Sequence, residues 1–337
     1  MTSPRLLVGG ALLLGGVAVL AIGFGSVAIA PGDVISILVR QLLGVGEAAQ
    51  GAGATSIVME LRLPRILAAI LVGAALAVAG GAFQSLLRNP LADPYVLGTS
   101  SGAALGAAIA ILLPIGGVAW ELGGVQLAAF IGALASVGLV WRVAGIGSGE
   151  ERIASVLLVG YAAASLLAAA LSLVMLASGA NLRAIFSFLL GGLDGATWPR
   201  LAAAALPLIA ATTLLALRGR ALAGFLLGDE AAQHLGVDVR RERRIAVALA
   251  SLATAAAVAL AGLVGFVGLV VPHLVRLAVG PDPRAVLPLS AIGGALLLLL
   301  ADTIARSIAV PVGVITALIG APFLLWLLHR ARTGYAL

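Results

Sequence analysis

The chain has 337 residues, of which 62% are hydrophobic and only 10% are charged, and its formal net charge is +6. A soluble domain averages about 25% charged residues, so this composition excludes an ordinary soluble fold. Cysteine is absent, which also excludes disulfides and thiolate metal sites.

Apolar segments follow one another along the whole chain. Most are long enough to cross about 30 Å of hydrocarbon as a helix. We therefore predict an all-α, polytopic membrane protein with about ten transmembrane helices in one domain over residues 1–337. The predicted segments are 6–30, 63–86, 96–113, 122–144, 153–177, 200–217, 245–265, 267–280, 285–305 and 312–328.

The first apolar segment could be mistaken for a signal peptide, because SVAIA resembles a cleavage site. However, the run from Leu6 to Ala30 is much longer than the signal core of about 7–15 residues. We expect a retained first span.

All 20 basic residues are arginine, and no lysine occurs anywhere. A P-loop needs the lysine of its signature to reach the nucleotide phosphates. Because the chain has no lysine, a lysine nucleophile or a lysine Schiff base is excluded too. The chain therefore carries no Walker-type ATPase site.

The arginines also orient the spans. With ten spans and a cytoplasmic N-terminus, fourteen arginines fall inside and six outside, which satisfies the positive-inside rule. Both termini are then cytoplasmic, and the basic balance indicates membrane topology rather than nucleic-acid binding. The six outer residues are Arg40, Arg62, Arg65, Arg183, Arg200 and Arg306.

Arg62, Arg65 and Arg306 lie where outer span ends are expected, and two interpretations stay open. They could be snorkelling interfacial side chains, with Asp302 one helical turn before Arg306 as its ion-pair partner. Alternatively, they could form a cationic ledge that receives an acidic partner from outside.

The stretch RNPLADPYVLGTSSGAALG interrupts the apolar pattern. Gly98, Gly102 and Gly106 recur at every fourth position, a spacing that lets helix backbones approach closely in a bilayer. The preceding turn contains Asn89, Pro90, Leu91, Asp93 and Pro94. Free backbone groups there would be unsatisfied in lipid. We predict a short cytoplasmic turn.

A second cytoplasmic feature is GDEAAQHLGVDVRRERR, residues 228–244. Asp229 and Glu230 suit a helix N-terminus, and Gly236 suits its end. The helix could be a solvated loop helix or a contact surface for a cytoplasmic protein. The sequence as a whole contains no catalytic cluster and no metal-ligand spacing. A polytopic membrane enzyme is therefore the weaker alternative class.

Several segments together resemble the FecCD or BtuC-like permease family of bacterial ABC importers for iron-siderophores, haem or cobalamin. They occur in the family's order over nearly the whole chain. The matching segments are RLPRILAAILVGAALAVAGGAFQSLLRNPLADPYVLGTSSGAALG, LLGDEAAQHLGVDV, LAGLVGFVGLVVPHLVRLAVGPDPRAVLP, LLADTIAR and PVGVITALIGAPFLLWLL.

The resemblance implies a homodimeric permease in the bacterial cytoplasmic membrane, with two cytoplasmic ATPase subunits and one extracytoplasmic binding protein. ATP and Mg²⁺ would be bound by the ATPase, and this chain would bind no cofactor or metal. The cargo would be an iron chelate, either a ferric siderophore or haem, with cobalamin as the alternative.

The resemblance also implies roles for particular residues. Arg62, Arg65 and Arg306 would dock the binding protein, and the turn Asn89–Pro94 would lie near the cytoplasmic gate. Arg183 would lie at the mouth of the transport pathway, where it could meet an anionic chelate. Binding of a lipid phosphate by Arg183 is an equal alternative. A coupling-helix region within 226–239 would meet the ATPase through Gly228, Asp229, Glu230, Ala232, Leu235 and Gly236.

The chain departs from the family pattern after Arg306, where SIAVPVG is shorter than usual and lacks a glutamate. This leaves the role of that turn open. His273 lies in VVPH, a stretch that the family carries whatever its cargo, so we expect a structural role for it.

Overall fold

The computed structural model describes residues 4–25, 27–43, 52–113, 123–144 and 150–332, and the regular structure in these ranges is helical. A π-helical turn, Ile57–Arg62, precedes α4, and short 3₁₀ turns cover Pro94–Leu97 and Gly179–Asn181. The α-helices are α1 Pro4–Gly23, α2 Pro31–Leu43, α3 Ala52–Ser56, α4 Leu63–Leu86, α5 Thr99–Leu112, α6 Gly124–Ala144, α7 Glu150–Ala177, α8 Leu182–Leu189, α9 Trp198–Leu217, α10 Gly219–Leu226, α11 Asp229–His234, α12 Val239–Ala261, α13 Val267–Val279, α14 Pro283–Ser307 and α15 Val312–Arg332.

The prediction of an all-α, multi-span protein is confirmed. Within the described ranges, eight helices are long and apolar enough to cross a membrane, and α5 and α13 are shorter apolar helices. Each of the ten predicted segments corresponds to one of these helices. The first segment is shorter than predicted, because α1 ends at Gly23 and a new helix, α2, begins at Pro31.

Helix α4 is the centre of the bundle and is buried along most of its length. It packs against α14, α12, α9 and α13. Two glycines permit this close packing. A methyl group on Gly73 would lie 2.2 Å from the carbonyl oxygen of Gly294, and one on Gly80 would lie 1.9 Å from that of Gly268. Only a residue without a Cβ fits at such backbone contacts.

Helices α12 and α13 are separated by a break at residues 262–266. Gly262 and Phe266 have positive φ angles of 65° and 68°, so the chain leaves helical geometry at both ends of the break. The continuous apolar run of the sequence hides this boundary, because the break carries no charge or proline.

Helices α5 and α6 form a second close pair. A Cβ on Gly102 would lie 2.3 Å from the Gly132 carbonyl oxygen, and one on Gly106 would lie 2.2 Å from that of Ala128. Gly98 has a φ of +72°, which a residue with a side chain rarely adopts. The glycine pattern of the sequence therefore coincides with a backbone-to-backbone contact.

Candidate functional site

The charged side chains gather at the two ends of the bundle. One end, called here the Arg65 end, holds Arg65 at the start of α4 and Arg306 near the end of α14. The opposite end, called the Arg243 end, holds Arg243 near the start of α12 and Arg284 at the start of α14. This division separates the arginines that the sequence assigned to the two sides of the membrane.

Asp302 is the centre of the ion-pair cluster at the Arg65 end. Its side chain is fully buried. It accepts hydrogen bonds from Arg65 Nε at 2.9 Å and from Arg65 Nη2 at 2.8 Å. Arg306 Nε lies 3.3 Å from the same carboxylate, one helical turn further along α14. Arg65 also pairs with Asp194, whose side chain is 80% exposed.

Arg62 has a different environment from the other two arginines. It is only 7% exposed. Its guanidinium donates hydrogen bonds to the carbonyl oxygens of Ile22, at 2.6 Å, of Gly23 and of Val27. These carbonyls belong to the last turn of α1 and the bend after it, where helix geometry leaves acceptors unsatisfied. Arg62 thus holds the end of α1 against the start of α4, and its predicted docking role stays a prediction.

The sequence therefore predicts part of this cluster. The pairing of Asp302 with Arg306 follows from their spacing of four residues. The two contacts of Arg65 join α4 to α14 and to the segment before α9, over 237 and 129 residues of chain. No local pattern indicates contacts at that separation, and Asp194 carries no other signal in the sequence.

The Arg243 end holds the short helix α11. Gly228 precedes it and Gly236 follows it, both with positive φ, so the helix is set off from its neighbours by two turns. Ala232 is fully buried, whereas Glu230 and Leu235 are exposed. Asp229 is held by Arg243, with an Oδ1–Nη2 distance of 2.7 Å.

The coupling-helix candidates consequently divide by exposure. Leu235 is 66% exposed and Leu227, just before α11, is 65% exposed. Gly236 is also exposed, while Gly228 and Asp229 are half-buried. An apolar surface formed by these leucines beside an anchored short helix suits contact with another protein.

The turn Asn89–Pro94 starts at the surface and ends inside the bundle, with Asn89 exposed and Ala92 and Pro94 buried. Gln84 Nε2 donates to the carbonyl oxygens of Ala92 and of Leu269, at 3.3 and 3.2 Å. Asp93 Oδ1 accepts from Tyr95 N at 2.8 Å, and burial raises the pKa of the Asp93 carboxyl to about 6. Protein groups therefore satisfy the inner part of the turn.

The same turn reaches two other elements. The Tyr95 hydroxyl donates to the Val264 carbonyl oxygen at 3.0 Å, in the break between α12 and α13. Arg88, at the beginning of the turn, has a guanidinium nitrogen 3.9 Å from the Cβ position of Gly228. The turn region is thus bonded to the α12–α13 break and lies close to Gly228, which precedes α11. Within it, Asn89 Oδ1 accepts from Leu91 N, and Pro90 lies between these two residues.

Two further candidates lie apart from both clusters. Arg183 is exposed on α8. His273 is 4% exposed on α13, and its ring meets the Phe323 ring edge-on at 5.9 Å between centroids. Neither histidine nitrogen has a hydrogen-bond partner among the described residues.

Comparisons with known proteins agree with this architecture. The profile of the FecCD transport family matches residues 12–330. The cobalamin import system permease protein BtuC of Halobacterium salinarum is 47% identical over 85% of this chain and 75% of its own length. The hemin transport system permease protein HmuU of Yersinia pestis is 39% identical over 81% of this chain and 83% of its own.

Solved structures agree as well. A chain described as an inward-facing metal-chelate type ABC transporter superposes with a TM-score of 0.84 at 29% identity, over 97% of this chain and all of that one. PsaBC from Streptococcus pneumoniae superposes with a TM-score of 0.55 at 16% identity, which supports the fold alone. The chain belongs to the FecCD transport family and is the permease component of an ABC importer, whose ATPase activity lies in separate subunits.

Proposed function

We propose that this permease imports a large metal chelate and that cobalamin is the first candidate cargo. The observation that carries the proposal is the 47% identity to a permease named for cobalamin import, over 85% of the chain. Haem is the second candidate, because a hemin permease is 39% identical over a similar length. This order differs from the sequence expectation, which put iron chelates before cobalamin.

We also propose that the Arg243 end faces the cytosol. The excess of arginines on that side, fourteen against six, supports this orientation under the positive-inside rule. An even number of crossings then leaves both termini in the cytosol. In a bacterium, the membrane would be the cytoplasmic membrane.

The energy for import would come from a partner that binds the α11 surface. A chain without lysine cannot hold ATP in a P-loop, so ATP hydrolysis by the partner would supply the mechanical work. The exposed Leu227 and Leu235 would supply the apolar contact, and the buried Ala232 would anchor α11 to the bundle. The turn from Arg88 to Tyr95 would carry the movement onward, because it lies beside Gly228 at the start of α11 and is bonded to the α12–α13 break.

At the Arg65 end we propose a docking surface for an acidic extracytoplasmic binding protein. Arg65 and Arg306 carry the positive charge, and Asp194 covers Arg65 from the solvent side. A carboxylate of the partner would compete with Asp194 for Arg65. Arg62 would support this surface from beneath, through its hydrogen bonds to the end of α1.

The pathway would run between two copies of the chain. Helix α7 exposes Leu158, Tyr161 and Leu173 to between 70% and 74%, and α15 exposes Leu318 and Leu325 to 67% each. A homodimer would cover part of these faces, and the fifth span, α7, would line the space between the copies.

The experiment is uptake into proteoliposomes that contain the permease, its ATPase subunits and the cognate binding protein. We expect uptake of cobalamin that requires ATP and all three components, and weaker uptake of haemin. Titration of the binding protein with each chelate should give the same order. ATP-driven uptake of haemin without uptake of cobalamin would overturn the choice of cargo, and uptake driven by an ion gradient through the permease alone would overturn the mechanism.

A further inference from the structure

A cavity of about 470 Å³ lies between α6, α9 and α12, near the Arg65 end of the bundle. Its walls are mostly apolar and are formed by residues that include Leu127, Phe130, Ala204, Pro207 and Leu260. This volume falls within the range of about 300–1,000 Å³ that small-molecule sites occupy. The cavity is therefore large enough for a ligand rather than a single water molecule.

The position of the cavity follows from contacts already described. Arg200, which lines it, donates a hydrogen bond from Nη1 to the Gly195 carbonyl oxygen at 3.0 Å. Gly195 directly follows Asp194, the partner of Arg65. The indole of Trp198 donates to the Met59 carbonyl oxygen at 2.8 Å, just before α4. The polar part of the cavity thus lies at the level of the Arg65 cluster, where the helices end.

Two buried polar atoms in this wall have no partner among the described residues. They are Arg200 Nε, a donor, and Gln126 Oε1, an acceptor. The two side chains lie close together beside Gly123. A Cβ on Gly123 would lie 3.3 Å from Gln126 Oε1 and 3.8 Å from Arg200 Cγ. Each of these side chains therefore has hydrogen-bonding capacity that the described protein groups leave unused.

The cavity belongs to the part of the bundle that faces the bilayer. Leu127 on α6 and Leu206 on α9 are 60% and 77% exposed on the outer surface of these helices. The homodimer proposed above uses α7 and α15, which leaves the outer faces of α6 and α9 to the lipid. An occupant of the apolar part of the cavity therefore comes from the bilayer.

We propose that this cavity binds a membrane phospholipid of the leaflet at the Arg65 end. One acyl chain fills the apolar part between α6, α9 and α12. The phosphate pairs with the Arg200 guanidinium, a charge-assisted contact.

The site can be tested by native mass spectrometry of the purified, full-length permease. The probes are palmitoyl-oleoyl phosphatidylglycerol, dioleoylglycerol and inorganic phosphate. We expect wild type to retain phosphatidylglycerol. We also expect dioleoylglycerol, which lacks the phosphate, to be retained about tenfold less, because it cannot form the charge-assisted contact. Inorganic phosphate should not displace the bound lipid.

Two variants address the two halves of the site. Arg200→Gln should lower phosphatidylglycerol retention about tenfold by removing the charge. Ala204→Phe should lower it to a similar extent by filling the cavity while leaving Arg200 in place. The matched controls are Arg40→Gln, another arginine assigned to the same side, and Ala202→Phe, an exposed position on α9 outside the cavity lining.

The variants can be compared with wild type if their elution volumes and their unfolding temperatures match those of wild type. If Arg200→Gln does not fold, Ala204→Phe still decides the question. Phospholipid retention equal to wild type in Ala204→Phe would overturn the proposal. Displacement of the lipid by inorganic phosphate would also overturn it, because the site would then bind free phosphate. Equal losses in the two controls would show general surface adsorption and would overturn it too.

Discussion

Asp302 and Arg65 form a bidentate ion pair across 237 residues of sequence, with the carboxylate fully buried and the guanidinium 16% exposed. The pair joins the start of α4, the central helix, to the end of α14, the helix that packs most extensively against it. Because Arg306 shares the carboxylate, one buried acid serves two basic side chains and neutralises only one of their two charges. The positive ledge predicted from the sequence is therefore a partly neutralised cluster.

Removing the carboxylate should destabilise the permease strongly. In Asp302→Asn, Arg65 and Arg306 lose their common charged partner in a buried position, which typically costs about 3–5 kcal/mol. We expect a clearly lower unfolding temperature of the detergent-solubilised protein by scanning fluorimetry. The control is Asp194→Asn, which removes the exposed partner of Arg65 and should cost less than about 1 kcal/mol. Equal shifts for the two variants would contradict this assignment.

Asp194 also offers a test of the docking surface that leaves the buried pair intact. If an acidic partner competes for Arg65, Asp194→Asn should strengthen association with the binding protein, because it removes the competing carboxylate. A gain of about threefold to tenfold is expected for an exposed charge, and it should shrink as salt is raised. Surface plasmon resonance in nanodiscs measures both effects.

Unchanged affinity in Asp194→Asn would favour simple interfacial arginines over a docking surface. Arg306→Glu should have the opposite effect to Asp194→Asn and weaken association. Arg62→Gln separates support from docking. Its main effect should be a lower unfolding temperature, since its guanidinium holds the carbonyl oxygens at the end of α1.

The Asp93 carboxyl should make the turn at the Arg243 end sensitive to pH. Its pKa in the folded protein is raised to about 6, above the ordinary value of 3.8, so the folded state favours the protonated form. Its contribution to stability is therefore full below about pH 4 and is lost as the pH rises through 6. Asp93→Asn keeps an acceptor for Tyr95 N and cannot ionise.

We expect Asp93→Asn to raise the unfolding temperature at pH 7 to 8 and to have little effect at pH 4. The difference between variant and wild type should grow between these limits. Melting curves from pH 4 to 8 measure it, with Asp238→Asn, an exposed helix cap, as the control. A difference that does not change with pH would contradict the buried, raised-pKa state of this carboxyl.

The α5–α6 contact predicts a large effect of one methyl group. In Gly102→Ala the new Cβ would meet the Gly132 carbonyl oxygen at 2.3 Å, so the helices must separate. Overpacking of this kind costs about 1–3 kcal/mol. Gly138→Ala on α6 is the matched control, because no atom of another helix lies within 4 Å of its Cβ position. Equal unfolding temperatures for the two variants would rule out the close contact.

The sequence predicted the helices well because each span is a long apolar run bounded by charge, proline or glycine. It also predicted the Gly102 and Gly106 face, since every fourth residue of a helix lies on one side. It did not predict that α1 stops at Gly23, because residues 24–30 are as apolar as the helix before them. The boundary between α12 and α13 was predicted imprecisely for the same reason, because the apolar run continues through residues 262–266.

Most contacts between charged residues of different helices could not be predicted from the sequence. Asp302 and Arg306 are four residues apart on one helix, so their pairing was predictable. The pairing of Arg65 with Asp302, and the hold of Arg62 on Ile22, depend on how distant helices pack. The apolar cavity beside Arg200 is equally invisible in a sequence, because its lining residues look like any other membrane-facing positions.

In the proposed mechanism, this chain has no ATP-hydrolysis site of its own and receives mechanical work from the ATPase through α11. The direct measurement is ATP hydrolysis and cobalamin uptake by the reconstituted permease, with and without its ATPase, for wild type and Leu235→Asp. We predict no hydrolysis by the permease alone, coupled uptake with the ATPase, and a loss of about tenfold or more in Leu235→Asp, while Leu235→Met stays near wild type. Hydrolysis by the isolated chain, or normal uptake in Leu235→Asp, would contradict the account.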